Sequence, residues 1–253
     1  MHITHFFARF VENAGLMGMK WWRLLFDLCF PKCCAVCGVQ LNYHEHHLCL
    51  ECFSDLPLTH FWNVEDNPAQ KIFWGRCPME RVHSLFYYTN NYRKPVHMLK
   101  YEGNVAVGMY LSRMLGEKIA SSTPQPAFDY IVPIPLHWRK KLKRGFNQSE
   151  IIARGIASGL KSAGAGNPPV LGNLLQRAHF TNTQTAKDRL ERWHNVSTAF
   201  RLNTKCKTIP PPDSHLLLVD DVLTTGATLE ACAAILVEQL GCRVSIATLA
   251  YVE

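Results

Sequence analysis

Apolar and polar positions change period several times along this chain, and each change marks an element. Residues 82–88 read as a strand, and 105–120 repeat apolar side chains at helical spacing through Val107, Leu111, Leu115 and Ile119. A short apolar strand is expected at 130–134, then a basic loop, then a helix from Gln148 to about Lys161. The Gly/Pro-rich run 162–169 breaks the pattern. A buried-type strand follows at 215–219, then a glycine loop, a helix over about 229–240 with Gly241 as its C-cap, and a last strand at 243–251. Strands alternating with helices imply βαβ units, so the expected class is α/β with a parallel sheet flanked by helices.

Upstream of residue 81 the pattern is different. Residues 1–30 form an N-terminal extension with an amphipathic segment, and 31–60 are rich in cysteine and histidine. Residues 61–80, with Pro68 and Pro78 and little periodicity, read as a connector to a main domain at 81–253.

Composition narrows the function classes. The chain has 253 residues, 47% of them hydrophobic and 19% charged, enough to bury a real core. Arg9, Glu12, Lys20, Arg23 and Asp27 interrupt the apolar N-terminal stretch, so neither a membrane span nor a secretory signal is expected. A cytoplasmic setting then turns the ten cysteines from disulfide partners into candidate metal ligands. A net charge of +7 favours phosphate-bearing ligands or nucleic acid.

The strongest chemistry lies in HLLLVDDVLTTGATLEA. An apolar strand delivers Asp220 and Asp221 to its carboxyl end, where α/β sheets place their ligands. Thr224, Thr225, Gly226, Ala227 and Thr228 follow as a small-residue turn that can aim backbone N–H groups at one anion, helped by the helix start behind it. Such a turn suits a phosphate dianion, and the neighbouring acids suit sugar hydroxyls.

A second segment, IVPIPLHWRKKLKRGFNQSE, concentrates Arg139, Lys140, Lys141, Lys143 and Arg144 before Asn147 and Gln148. These cations suit a pyrophosphate leaving group. They equally suit a nucleic-acid backbone, with Trp138 and Phe146 for base stacking. A third polar stretch, 176–200, carries Arg177, Gln184, Arg189 and Arg192 and reads by its own residues as a surface helix with charge pairs. In the N-terminal module, Cys34-x-x-Cys37 and Cys49-x-x-Cys52 are paired knuckles suited to a tetrahedral structural Zn²⁺. Cys33 could replace Cys34 in that set, and His44, His46 and His47 could substitute, although a solvent-facing place suits the histidines better.

The acid pair and TTGAT turn resemble the phosphoribosyl-pyrophosphate (PRPP) signature of type I phosphoribosyltransferases. By that resemblance Asp220 and Asp221 hold the ribose hydroxyls and residues 224–228 the 5′-phosphate. Thr224 stands where the hypoxanthine- and guanine-using members place an aspartate, so that purine-salvage reaction is disfavoured. The Cys-x-x-Cys module, HMLKYEGN (97–104), RGFNQSE, the TQT…R…R…N stretch and DDVLTTGAT together resemble the ComF/GntX family from about residue 20 onward. The resemblance implies a type I phosphoribosyltransferase fold with an N-terminal zinc ribbon, and a lid that includes Gln184, Arg189 and Arg192. It further implies Mg²⁺ with PRPP, and a cytosolic role in DNA uptake with single-stranded DNA and a competence helicase as partners. No glutaminase domain or N-terminal cysteine nucleophile accompanies these motifs, so a complete glutamine-using amidophosphoribosyltransferase is not expected.

Overall fold

The computed structural model describes residues 31–177 and 199–253. The chain divides into two compact units, Met1–Asp55 and Leu56–Glu253. In the first, Cys34, Ala35, Leu48, Cys49 and Cys52 are buried, and helix α1 (Leu50–Ser54) starts from Cys49 as its N-cap and carries Cys52.

The second unit opens with a strap that the sequence presents as an irregular connector. Phe61–Asn63 forms a 3₁₀ turn and Pro68–Lys71 a short helix, α2. Asn67 is the reason the strap holds its shape. Its side-chain oxygen caps α2 by accepting from Gln70 N at 3.0 Å, and its amide donates to Val82 O at 2.9 Å. Phe61, Ala69 and Phe73 of this strap are buried in the main core.

Strand β1 (Val82–Tyr87) leads to helix α3 (Arg93–His97), a π-helical turn at Met98–Glu102, and the long helix α4 (Val105–Ala120). Then come β2 (Tyr130–Pro133), α5 (Trp138–Arg144), α6 (Gln148–Ser162), β3 (Leu175–Arg177) and β4 (Phe200–Leu202). The chain closes with β5 (His215–Leu223), α7 (Ala227–Leu240) and β6 (Arg243–Tyr251). The four long strands form one parallel sheet in the order β1-β6-β5-β2, as the β/α alternation predicts, and β3 pairs with β4 in an antiparallel ribbon. No described helix is long and apolar enough to cross a membrane.

One sheet face (Val82, Val132, Leu216, Leu218, Ile246) packs with Leu229, Cys232, Ala233 and Leu236 of α7 and with the strap. Alternate residues such as Leu85, Ile131, Leu217 and Leu249 point the other way, where α4 and α6 pack. Those two helices approach with backbones nearly touching. A Cβ on Gly116 or Gly159 would collide with the carbonyl oxygen of Ile156 or Arg113, respectively. Glycine here sets the seat of α6, and with it the position of the α6 N-terminus at the carboxyl end of the sheet.

One core residue is out of keeping with its surroundings. His83 of β1 is fully buried and neither ring nitrogen has a hydrogen-bond partner among the described residues. Burial, aided by Arg81 and His215, pushes its pKa down to about 3. Because the folded pKa lies below the unfolded value, the stability it carries is complete above pH 6.5 and falls as pH drops below that point. His83→Leu is expected to stabilise the fold near pH 7.5. Its advantage over the wild type should widen by roughly 2 kcal/mol between pH 7.5 and pH 5. Urea unfolding at the two pH values checks this, and a constant gap would count against it.

Candidate functional site

The site forms where β5 ends and α7 begins. The apolar run of β5 is hydrogen-bonded on both sides, to β2 through Leu216–Val219 and to β6 over almost its full length. That pairing carries the strand past Val219 to Leu223, so both acids sit within the strand rather than after it. Thr224 and Thr225 are exposed, Gly226 takes φ 74°, and α7 starts at Ala227, earlier than its apolar periodicity indicates. Only glycine suits position 226. The backbone is left-handed there, and a Cβ would lie 2.9 Å from the Phe73 ring of the strap.

Thr224, Thr225, Gly226, Ala227 and Thr228 line an open hollow together with Asp220 and Val222. Adjacent strand residues face opposite ways, and the two acids have different surroundings. The Asp220 carboxylate accepts from Ser149 Oγ and from Asp221 N, both at 2.9 Å, on a single oxygen. Burial and the Asp221 charge push its pKa up to about 7 against those hydrogen bonds and the more distant Lys100. Asp221 instead pairs with Lys100 Nζ at 3.0 Å. Lys100 belongs to the π-helical turn, a distortion that recurs at functional sites. The next residue, Tyr101, is exposed and lies between His97, with ring centroids 4.6 Å apart, and the Arg144 guanidinium 5.0 Å from its ring.

The basic segment is not a loop. His137 caps α5 by accepting from Arg139 N, the run WRKKLKR lacks helix breakers, and Gly145 at φ 83° stops it. No residue of this helix is buried: Arg139, Lys140, Lys141 and Lys143 face solvent, as do Trp138 (62% exposed) and Leu142 (79%). Asn147 and Gln148, grouped with these cations in the sequence, part from them in space. Asn147 caps α6 and donates to Ile134 O at 3.0 Å, while Gln148 is buried with its Nε2 unpartnered among the described residues. Gln184, Arg189 and Arg192 lie outside the described residues. Arg177, on β3, stacks on the Phe200 ring.

Three contributors to the site escape a reading by motif. Lys100 and Ser149 lie inside the conspicuous HMLKYEGN and RGFNQSE segments, but nothing in either marks the contact with an acid. Arg76, from the strap, reaches Thr225 O and Glu230 Oε2, both at 3.4 Å. Only the apolar residues of the strap signal that it packs at all.

In the first unit, one sulfur from each of Cys34, Cys37, Cys49 and Cys52 lies within 4.8 Å of the others. The Cys37–Cys49 separation is 3.7 Å, against the roughly 3.8 Å edge of a tetrahedron with ~2.3 Å metal–sulfur bonds. Backbone N–H groups of Val36 and Cys52 point at Cys34 and Cys49 sulfurs at 3.5 Å. The four thiols could hold a metal ion such as zinc. Cys33 is exposed, turned to Pro31 O, and outside the cluster, which resolves the register in favour of Cys34. His44 and His46 are exposed and His47 is half-buried; none of the three belongs to the cluster.

No family model matches the chain. Its sequence is 30% identical over 211 residues to the DNA utilization protein YhgH of Salmonella typhi, covering 80% of this chain and 83% of that one. The YhgH protein of Escherichia coli K12 is 26% identical with the same coverage. Competence protein F of Haemophilus influenzae is 26% identical over 214 residues, covering 82% of this chain and 79% of that protein.

Proposed function

The chain belongs to the ComF/GntX family, and on that premise we propose that it is a PRPP-binding phosphoribosyltransferase acting in the cytoplasm in DNA uptake or utilization. The observation that carries this reading is the hollow shared by the Asp220 carboxylate and the 224–228 turn at the start of α7. The turn and helix N-terminus receive the 5′-phosphate. Asp220 and Asp221 accept hydrogen bonds from the ribose hydroxyls, with Ser149 and Lys100 orienting them. Mg²⁺, if it arrives with the substrate, would offset the charge of the pyrophosphate there. A nitrogen nucleophile forms a bond to the anomeric carbon as the bond to pyrophosphate breaks, and Arg139, Lys140, Lys141, Lys143 and Arg144 neutralise the departing group. The lid residues Gln184, Arg189 and Arg192 exclude water during that step. Zinc on the four cysteines serves the fold of the first unit. Incubation with PRPP, Mg²⁺ and nitrogen acceptors, followed for pyrophosphate release and paired with calorimetry, tests the reading. Absence of any PRPP binding overturns it.

A second reading, non-catalytic binding of single-stranded DNA beside a competence helicase, draws on the exposed Trp138 and the cations of α5. Reversing the charge of Lys140, Lys141 and Lys143 should weaken single-stranded DNA binding and flatten its salt dependence by about 0.7 per lost phosphate contact. Filter binding across a salt series measures both, and an unaltered slope removes α5 from the interface.

A further inference from the structure

The phosphate turn carries a charge that works against its proposed ligand. Glu230 lies in the first turn of α7 and is 8% exposed, on the same helical start that offers N–H groups to an anion. A carboxylate buried there lowers the affinity of that helix start for a phosphate dianion. Among the described residues, the lining of the hollow contains no lysine or arginine to offset it.

The compensating cation comes from the strap. One Arg76 nitrogen, Nη1, lies 3.4 Å from Glu230 Oε2 and 3.4 Å from the Thr225 carbonyl oxygen. Both contacts use this nitrogen alone, so Nε and Nη2 remain free of protein partners among the described residues. The Arg76 side chain is 48% exposed. The strap holds Arg76 in place through Asn67 at one end and Phe73, packed behind Gly226, near the other.

We infer that Arg76 is a positioning residue of this site: it neutralises Glu230 and fixes the Thr225 carbonyl, and so keeps the turn receptive to the phosphomonoester it binds. The inference rests on the reading of the turn as the 5′-phosphate site and adds a residue from outside the segments that carry the family resemblance. It also assigns the strap a role in ligand affinity rather than in connection alone.

The test titrates ribose 5-phosphate and Mg²⁺–PRPP into the full chain and its variants. Arg76→Met is expected to weaken both ligands about tenfold or more. Arg76→Lys, which keeps the charge, should lose less. Glu230→Gln added to Arg76→Met should restore affinity to within about threefold of wild type, because the charge conflict is then gone. A purely structural role for Arg76 predicts instead a fall in melting temperature and affinity that Glu230→Gln does not reverse. Wild-type affinity in Arg76→Met, or a double variant as weak as the single one, overturns the inference and leaves the PRPP reading standing. A wild-type chain that binds neither ligand overturns both.

Discussion

Asp220→Asn combined with Asp221→Asn is expected to abolish PRPP binding, a loss of at least ~100-fold, while leaving the chain folded. Each ionised carboxylate that accepts from a sugar hydroxyl contributes about 1.5–3 kcal/mol, and both contributions vanish together. The amide has the shape of the carboxylate, so the Ser149 hydroxyl and the Asp221 N–H keep an acceptor. The same change should have the opposite effect on stability. The folded pKa of Asp220 is about 7, against 3.8 for an ordinary aspartate. A raised carboxylate contributes stability that is complete below the unfolded value and is lost as pH rises through the folded one. Wild type therefore gives up stability between about pH 4 and pH 7 at this residue, and Asp220→Asn alone should be more stable by about 2–4 kcal/mol at pH 8 but not at pH 4. An acid held unfavourably in the fold and required for binding is the usual trade at a functional site. Calorimetry with Mg²⁺–PRPP and urea unfolding at both pH values measure the two effects. Unchanged PRPP affinity in the double variant would remove the acid pair from the site.

Removing zinc should unfold the first unit and spare the second. The described part of the first unit buries little beyond its cysteines, Ala35 and Leu48, too small a core to stand alone. Metal binding by four thiolates supplies on the order of 10–16 kcal/mol in comparable small sites, which here becomes folding energy. The expected stoichiometry is one zinc per chain by elemental analysis, lost in Cys49→Ser and retained in Cys33→Ser, whose thiol lies outside the cluster. Hydrogen exchange should report loss of protection at residues 31–55 on chelation and intact protection on β5 and β6. A metal-free chain with residues 31–55 still protected would show that the thiols do not need an ion.

Much of this architecture is local and therefore legible. The helical spacing from Val107 to Ile119 and the unbroken apolar run from Leu216 to Val219 each name an element, and their alternation names a parallel sheet. The cysteine spacing and the small-residue turn are local as well, since a knuckle and a helix start are built from neighbouring residues. Element ends were less legible for a physical reason. The reach of β5 to Leu223 depends on its pairing with β6, which local periodicity does not show. The basic run reads as a loop because charge masks its helix-forming residues, the His137 cap and the Gly145 stop.

The chain's order of residues determined the class of fold, the acids and the turn, because each depends on side chains a few positions apart, and it left only Cys33 or Cys34 open in the thiol set. Tertiary structure alone decided how these become a site. Ser149 meets Asp220 across 71 positions and Arg76 meets Glu230 across 154. Contacts at that separation exist only because Gly116 and Gly159 let α4 and α6 close together, and because the apolar side chains of the strap bury themselves behind Gly226. Packing, which has no local signature in the chain, brings those charges together.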